Sequence, residues 1–164
     1  MIVKGVGGGT YTPHPEGQFG AVCVDVVDMG IMEGQFGPKH KMRLVFWCGE
    51  SEERDGDRIP LTVSEMFTVS LHEKSNLRAF VKSWRGKDFS EEELRGFDFE
   101  RMIGAPAFVD VQHHNTNSQK TYANIVSIMR LPSGMQAMSS PSEYIRVKDR
   151  EPRVTEKEDD GLPF

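Results

Sequence analysis

Apolar and polar positions fall into an irregular opening, three β-like runs, a helical run and two further β-like runs. Residues 1–18 are rich in Gly, Pro and Thr and read as a flexible arm. Phe19–Met29 (FGAVCVDVVDM) is compact and β-branched, which predicts a first strand. The glycine-punctuated stretch Gly30–Pro38 predicts a long loop, and Lys41–Cys48 (KMRLVFWC) a second strand. Alternation there puts Met42, Leu44, Phe46 and Cys48 on a core face and Lys41, Arg43, Val45 and Trp47 on the opposite one. Asp55-Gly56 suits a hairpin turn. A third strand is expected over Leu61–His72, best formed in Met66–Leu71. Phe67, Val69 and Leu71 would face inward there, and Thr68, Ser70 and His72 outward.

The period then changes. Leu77, Phe80, Val81 and Trp84 recur at helical spacing on one face, with Ser75 placed to cap the start and Gly86 to end the helix. Ser90–Glu93 has the capping-box pattern of a short second helix, and Asp98 can cap one more turn over Phe99–Ile103. Ala105–Gln112 and Thr121–Arg130 read as two more strands around the polar tip His113–Lys120. From Pro132 no period survives, which predicts a disordered tail. Three strands, a helical segment and two strands is the order of the OB-fold, a five-stranded Greek-key barrel. The expectation is a mainly β chain: an arm over 1–18, an OB-fold barrel over 19–131 with its helical segment between strands three and four, and an acidic tail over 132–164. An SH3-like or other small barrel also satisfies the spacing.

Composition narrows the classes. A chain of 164 residues suits one domain, and 37% hydrophobic with 27% charged residues is a globular balance. No apolar run approaches the roughly 20 residues of a membrane helix, and the first ten residues lack a signal-like apolar core. A cytoplasmic protein without membrane contact is expected. Cys23 and Cys48 lie in apolar runs and read as buried free thiols, too few for a disulfide framework and wrongly spaced for zinc.

The net charge of −5 argues against a generic nucleic-acid binder, but the charge is uneven. Residues 149–164 hold six carboxylates against three cations. From Gly34 to Gly49, by contrast, Lys39, Lys41 and Arg43 occur without any acid and beside Trp47. Single-stranded nucleic acid needs this combination: cations that follow phosphates and flat rings on which bases stack. Phe36, in the preceding loop, is a second platform candidate. Thr68 and His72 form a small polar face on the third strand, and Lys120 and Tyr122 flank the last hairpin tip. The competing reading is a solvated strand face on which Trp47 covers a barrel edge. Lys74, Arg78, Lys82 and Arg85 form a stripe on the helix, either its solvated side or a docking surface for DNA or for the acidic tail.

Catalytic readings find little footing. Gly5–Gly9 lacks the flanking strand, the helix and the Gly-Lys-Ser/Thr ending of a phosphate loop. The adjacent His113 and His114 point apart, and Asp55 and Asp57 depart from EF-hand spacing. No enzyme, cofactor or metal is expected.

The last residues, Glu156-Lys-Glu-Asp-Asp-Gly-Leu-Pro-Phe164, resemble the acidic C-terminal tip of bacterial single-stranded DNA-binding proteins, with Gly161 intervening between Asp160 and Leu162. Pro15-Glu-Gly-Gln-Phe19 and Lys120-Thr-Tyr-Ala-Asn-Ile125, within residues 15–131, resemble bacteriophage-type OB-fold single-stranded DNA-binding proteins. The resemblance implies a non-enzymatic protein of phage or prophage type, working in the cytoplasm of a bacterial host. It would bind single-stranded DNA without sequence preference and recruit replication, recombination or repair proteins. Asp159, Asp160, Leu162, Pro163 and Phe164 would bind those partners, the Phe164 ring in an apolar pocket and the acids on a basic rim. A homo-oligomer is compatible with this reading. The alternatives are an adaptor or recombination-accessory module that binds proteins through its barrel, and an OB-fold RNA binder.

Overall fold

The computed structural model describes residues 13–116 and 120–150. Three long strands come first: β1 (Gly17–Met32), β2 (Lys39–Arg54) and β3 (Asp57–Thr68). Helices α1 (Asn76–Arg85) and α2 (Glu91–Arg95) and a 3-10 turn over Phe99–Met102 follow, then β4 (Pro106–Asn115) and β5 (Thr121–Met129). The strands form one antiparallel sheet in the order β3-β2-β1-β4-β5. β1 joins its two parts, because Gly17–Val22 pairs with β4 while Val22 onward pairs with β2. The sheet is not closed. Glu65 on β3 nevertheless reaches the other edge strand, accepting from the Ile125 N–H at 2.8 Å and from Asn124 Nδ2 at 3.2 Å.

The inner face carries the main core. Met42, Leu44, Phe46 and Cys48 meet Leu77, Val81 and Trp84 of α1, with Val109, Val111, Ile125 and Ile128 from the far strands. Trp84 lies 5.1 Å from the Phe46 ring, and its indole N–H donates to the Pro106 carbonyl at 2.8 Å. Burial of this apolar stripe, more than intrinsic propensity, stabilises so short a helix. Its ends follow the sequence: Ser75 Oγ accepts from the Arg78 N–H, and Gly86 adopts the left-handed φ of 76° that closes α1. Ser90 and Glu93 form the expected capping box, Asp98 caps the 3-10 turn, and Asp55-Gly56, both with positive φ, link the paired Arg54 and Asp57. Cys23 and Cys48 are buried free thiols.

The sheet differs from the expected elements in several places, β4 among them, which continues to Asn115 through part of the expected polar tip. β1 extends to Met32, taking in part of the expected loop, and β2 runs on to Arg54 past an irregularity between Trp47 and Ser51. β3 starts at Asp57 and stops at Thr68. Beyond Thr68 the Val69 N–H donates to the His40 carbonyl and the chain turns toward α1, leaving Val69 exposed, not inward. Residues 13–18 are not part of a loose arm. His14 is buried, its carbonyl accepts from His113 Nε2 at 2.7 Å, and Gly17 already pairs in β1; residues 1–12 lie outside the described residues. Residues 132–150, expected in a disordered tail, instead lie against the outer face of the sheet, because Met138 and Tyr144 find an apolar patch there and Arg146 a buried carboxylate. Among the described residues, no helix is long and apolar enough to cross a membrane.

Candidate nucleic-acid interface

A single extra residue in β1 organises the outer face. Val22 pairs with Trp47 and Cys23 with Phe46, but the next pair is Asp25 with Val45, so Val24 is skipped. Such a bulge re-aims the side chains that follow it. Asp25 therefore joins Val22, Val24 and Val45 on the outer side while Cys23 and Val26 stay with the inner core. Met138, Tyr144 and Trp47 pack on this outer patch.

Asp25, 1% exposed, anchors the covering strap. Its carboxylate accepts from the Tyr144 hydroxyl at 2.8 Å, Arg146 Nε at 2.9 Å and the Val147 N–H at 2.9 Å. Arg146 also donates to both Glu100 oxygens, at 2.7 and 3.0 Å. Burial by itself raises the Asp25 pKa, but the Val147 N–H, Tyr144 hydroxyl and Arg146 outweigh it and hold the carboxyl below its ordinary value. Burial and the facing carboxylate push the Tyr144 hydroxyl the other way, well above the usual phenol range.

Further along the same strands the outer face is uncovered. Lys41 and Thr68 are register partners, and Lys41 Nζ donates to Thr68 Oγ1 at 2.8 Å. Arg43 Nη1 donates to Ser64 Oγ at 2.9 Å. Neither cation has a carboxylate within ion-pair distance among the described residues. Hydroxyls fix the two side chains without cancelling their charge. Lys39, Thr68 and His72 line one shallow cleft of about 320 Å³ with Ser70, Lys74 and the capped start of α1. Asp28, the nearby acid of β1, is occupied by His40 Nε2 at 2.7 Å and the Gly30 N–H at 2.9 Å, which hold its pKa below the ordinary value. Phe36, in the loop before β2, is 82% exposed.

Lys39, Lys41, Arg43 and Thr68 thus share one face, and His72, past the end of β3, lines the cleft beside Lys39 and Thr68. Trp47 is at the strap end of that face, half-buried among the valines, its indole N–H donating to the Glu50 carbonyl at 2.8 Å. Lys120 and Tyr122 belong to the β4–β5 hairpin, Tyr122 opposite His114. Asp159, Asp160, Leu162, Pro163 and Phe164 lie outside the described residues. The helix stripe divides. Arg78 is paired with Asp88 at 3.0 Å and Arg85 with Glu93 at 2.9 Å, and these hydrogen bonds pull both carboxyls down to about 2; Lys74 alone of the stripe lines the Lys39 cleft. Sequence reasoning missed Ser64, which holds Arg43, and the Asp25 anchor, whose signal was an acid inside the apolar run Val22–Val27.

No family model, curated protein or solved structure matches the chain.

Proposed function

We propose that the protein binds single-stranded DNA without sequence preference, along the uncovered outer face of β2 and β3, and that it is not an enzyme. One observation carries the reading. Lys41 and Arg43 are held by Thr68 and Ser64, so they are ordered yet carry uncancelled charge, whereas Arg78, Arg85 and Arg146 are tied to carboxylates. Ordered, unpaired cations on an open face suit phosphates, and the exposed ring of Phe36, in the loop that leads into β2, suits a base.

The fold we infer is a partly open OB-fold barrel. The order β3-β2-β1-β4-β5, with α1 between β3 and β4 and Glu65 bridging the two edge strands, supports it. OB-folds bind oligonucleotides on the face of strands two and three and on the loops between strands one and two and between four and five. In this chain those places hold Lys41, Arg43 and Thr68, then Phe36, then Lys120 beside Tyr122. Trp47 serves the strap in this account, not the nucleic acid. In this reading the segment Asp159–Phe164 recruits DNA-processing proteins in the host cytoplasm.

Fluorescence anisotropy with labelled oligo-dT, an RNA homopolymer and duplex DNA tests the reading. It expects oligo-dT to bind more tightly than the duplex and binding to weaken with salt. Equal or tighter duplex binding overturns it, and preference for the RNA moves the function to the RNA-binding alternative.

A further inference from the structure

The uncovered face ends in a cleft of different chemistry. β3 stops at Thr68, the Val69 N–H donates to the His40 carbonyl, and the chain leaves the sheet for α1. The cleft formed there, of about 320 Å³, is lined among the described residues by hydroxyl, amide, imidazole and ammonium groups, with neither a carboxylate nor an apolar side chain. Several of its hydrogens are left to donate. The Lys74 N–H donates to His72 Nδ1 at 3.2 Å, so in the neutral ring Nδ1 is the acceptor and Nε2 carries the hydrogen. The His72 N–H donates to Ser70 Oγ at 3.1 Å, which leaves the Ser70 hydroxyl hydrogen for another acceptor. Lys39 and Lys74 form no ion pair with a carboxylate among the described residues. Glu73, the acid next to Lys74 in sequence, lines the neighbouring cleft instead.

We propose that this cleft takes the terminal phosphomonoester of a single strand, so that the protein recognises one end of the DNA as well as its backbone. The inference rests on the function proposed above and adds a substrate class to it: strands that end in a phosphate. Two features select an end over an internal phosphate. An internal phosphodiester has a nucleoside on each side, whereas the cleft has no apolar side chain to receive a second base. A phosphodiester also carries a single charge. A phosphomonoester carries about −1.5 to −2 near neutral pH, with three strong acceptor oxygens. These match two unpaired ammoniums and the His72 and Ser70 hydrogens. The approach is continuous. Thr68 lines the cleft and accepts from Lys41 Nζ at 2.8 Å, so the phosphate path along Arg43 and Lys41 leads into it.

The test is a competition by fluorescence anisotropy, on the full chain, between oligo-dT strands of one length that are 5′-phosphorylated, 3′-phosphorylated or hydroxyl-ended at both termini. A strand that lies along the face in one direction brings only one end to the cleft. One phosphorylated strand should therefore bind about tenfold tighter than the hydroxyl-ended strand, the equivalent of about 1.4 kcal/mol, and the other should equal it. The preference should disappear in Ser70→Ala/Lys74→Gln at an unchanged melting temperature. It should persist in Lys41→Ala/Arg43→Ala, where all the strands weaken together. Without DNA, inorganic phosphate should shift the His72 and Asn76 amide resonances of the parent but not those of Ser70→Ala/Lys74→Gln. Equal affinity of all the strands, an equal gain from both phosphorylated ends, or a preference that survives Ser70→Ala/Lys74→Gln each overturns the proposal. Failure of every strand to bind, with the phosphate shifts intact, overturns the function proposed above and leaves the cleft a phosphomonoester site. Absence of those shifts overturns the cleft itself.

Discussion

The outer face of β1, β2 and β3 has two ends that the strand alternation alone does not distinguish. At one end Val22, Val24 and Val45 lie under Met138, Tyr144 and Trp47, and the Asp25 carboxylate meets a guanidinium, a hydroxyl and a backbone N–H. At the other end Lys41 and Arg43 meet only hydroxyls. The first end pairs its buried carboxylate internally and is therefore structural. The second keeps ordered charges uncompensated, which costs stability through repulsion and is useful only toward an outside anion. The partner of a charged side chain, more than its exposure, separates scaffold from site.

The largest effect expected is at Asp25. Asp25→Ala leaves Arg146 and Tyr144 without their shared acceptor and should destabilise the fold by about 3–5 kcal/mol, the usual result of breaking a buried ion pair by removing one partner. Urea denaturation checks it. The same anchor is acid-sensitive. Because the folded-state pKa of Asp25 is lowered, its contribution is complete above the unfolded-state value of about 3.9 and is lost as pH falls through the folded-state value. Acid melts should therefore decline more steeply for the parent than for Asp25→Asn. Parallel declines would separate the strap from this carboxylate.

Trp47 comes next and sharpens the boundary between the two ends. Half-buried, it should cost about 2–3 kcal/mol on Trp47→Ala, less than the roughly 3–5 kcal/mol of a fully buried aromatic such as Trp84, while oligo-dT affinity stays the same. Loss of affinity with an unchanged melt would return Trp47 to the binding face. Phe36→Ala should do the reverse, leaving the melting temperature unchanged and weakening oligo-dT binding by about 1–3 kcal/mol, the range for a stacking residue.

Much of the scaffold was legible because its signals are local. Ser75, Ser90, Asp98, Gly86 and Asp55-Gly56 act through backbone groups one to four residues away, and the core face of β2 follows from strict alternation. What escaped is non-local or breaks the period. The skip at Val24 reverses the side on which Asp25 emerges, and no composition signal marks it. The strap has neither helical nor strand period, since its residues are fixed by partners about 120 positions away. Its position could not be read, and alternation alone does not separate Trp47 from the open cations of the same face. For the site, Lys39, Lys41, Arg43 and Thr68 were readable as one face, while His72 reaches the adjoining cleft only after β3 has ended, and the ordering of Lys41 and Arg43 depends on Thr68 and Ser64 across the strand pair.

The central claim is that the uncovered end of the face binds phosphates through Lys41 and Arg43. It is tested most directly by the salt dependence of oligo-dT binding in Lys41→Ala/Arg43→Ala compared with the parent. Each phosphate contact contributes about 0.7 to the slope of log K against log salt on single strands, so the double variant should be shallower by about 1.4 with an unchanged melting temperature. A slope equal to the parent's would contradict the account.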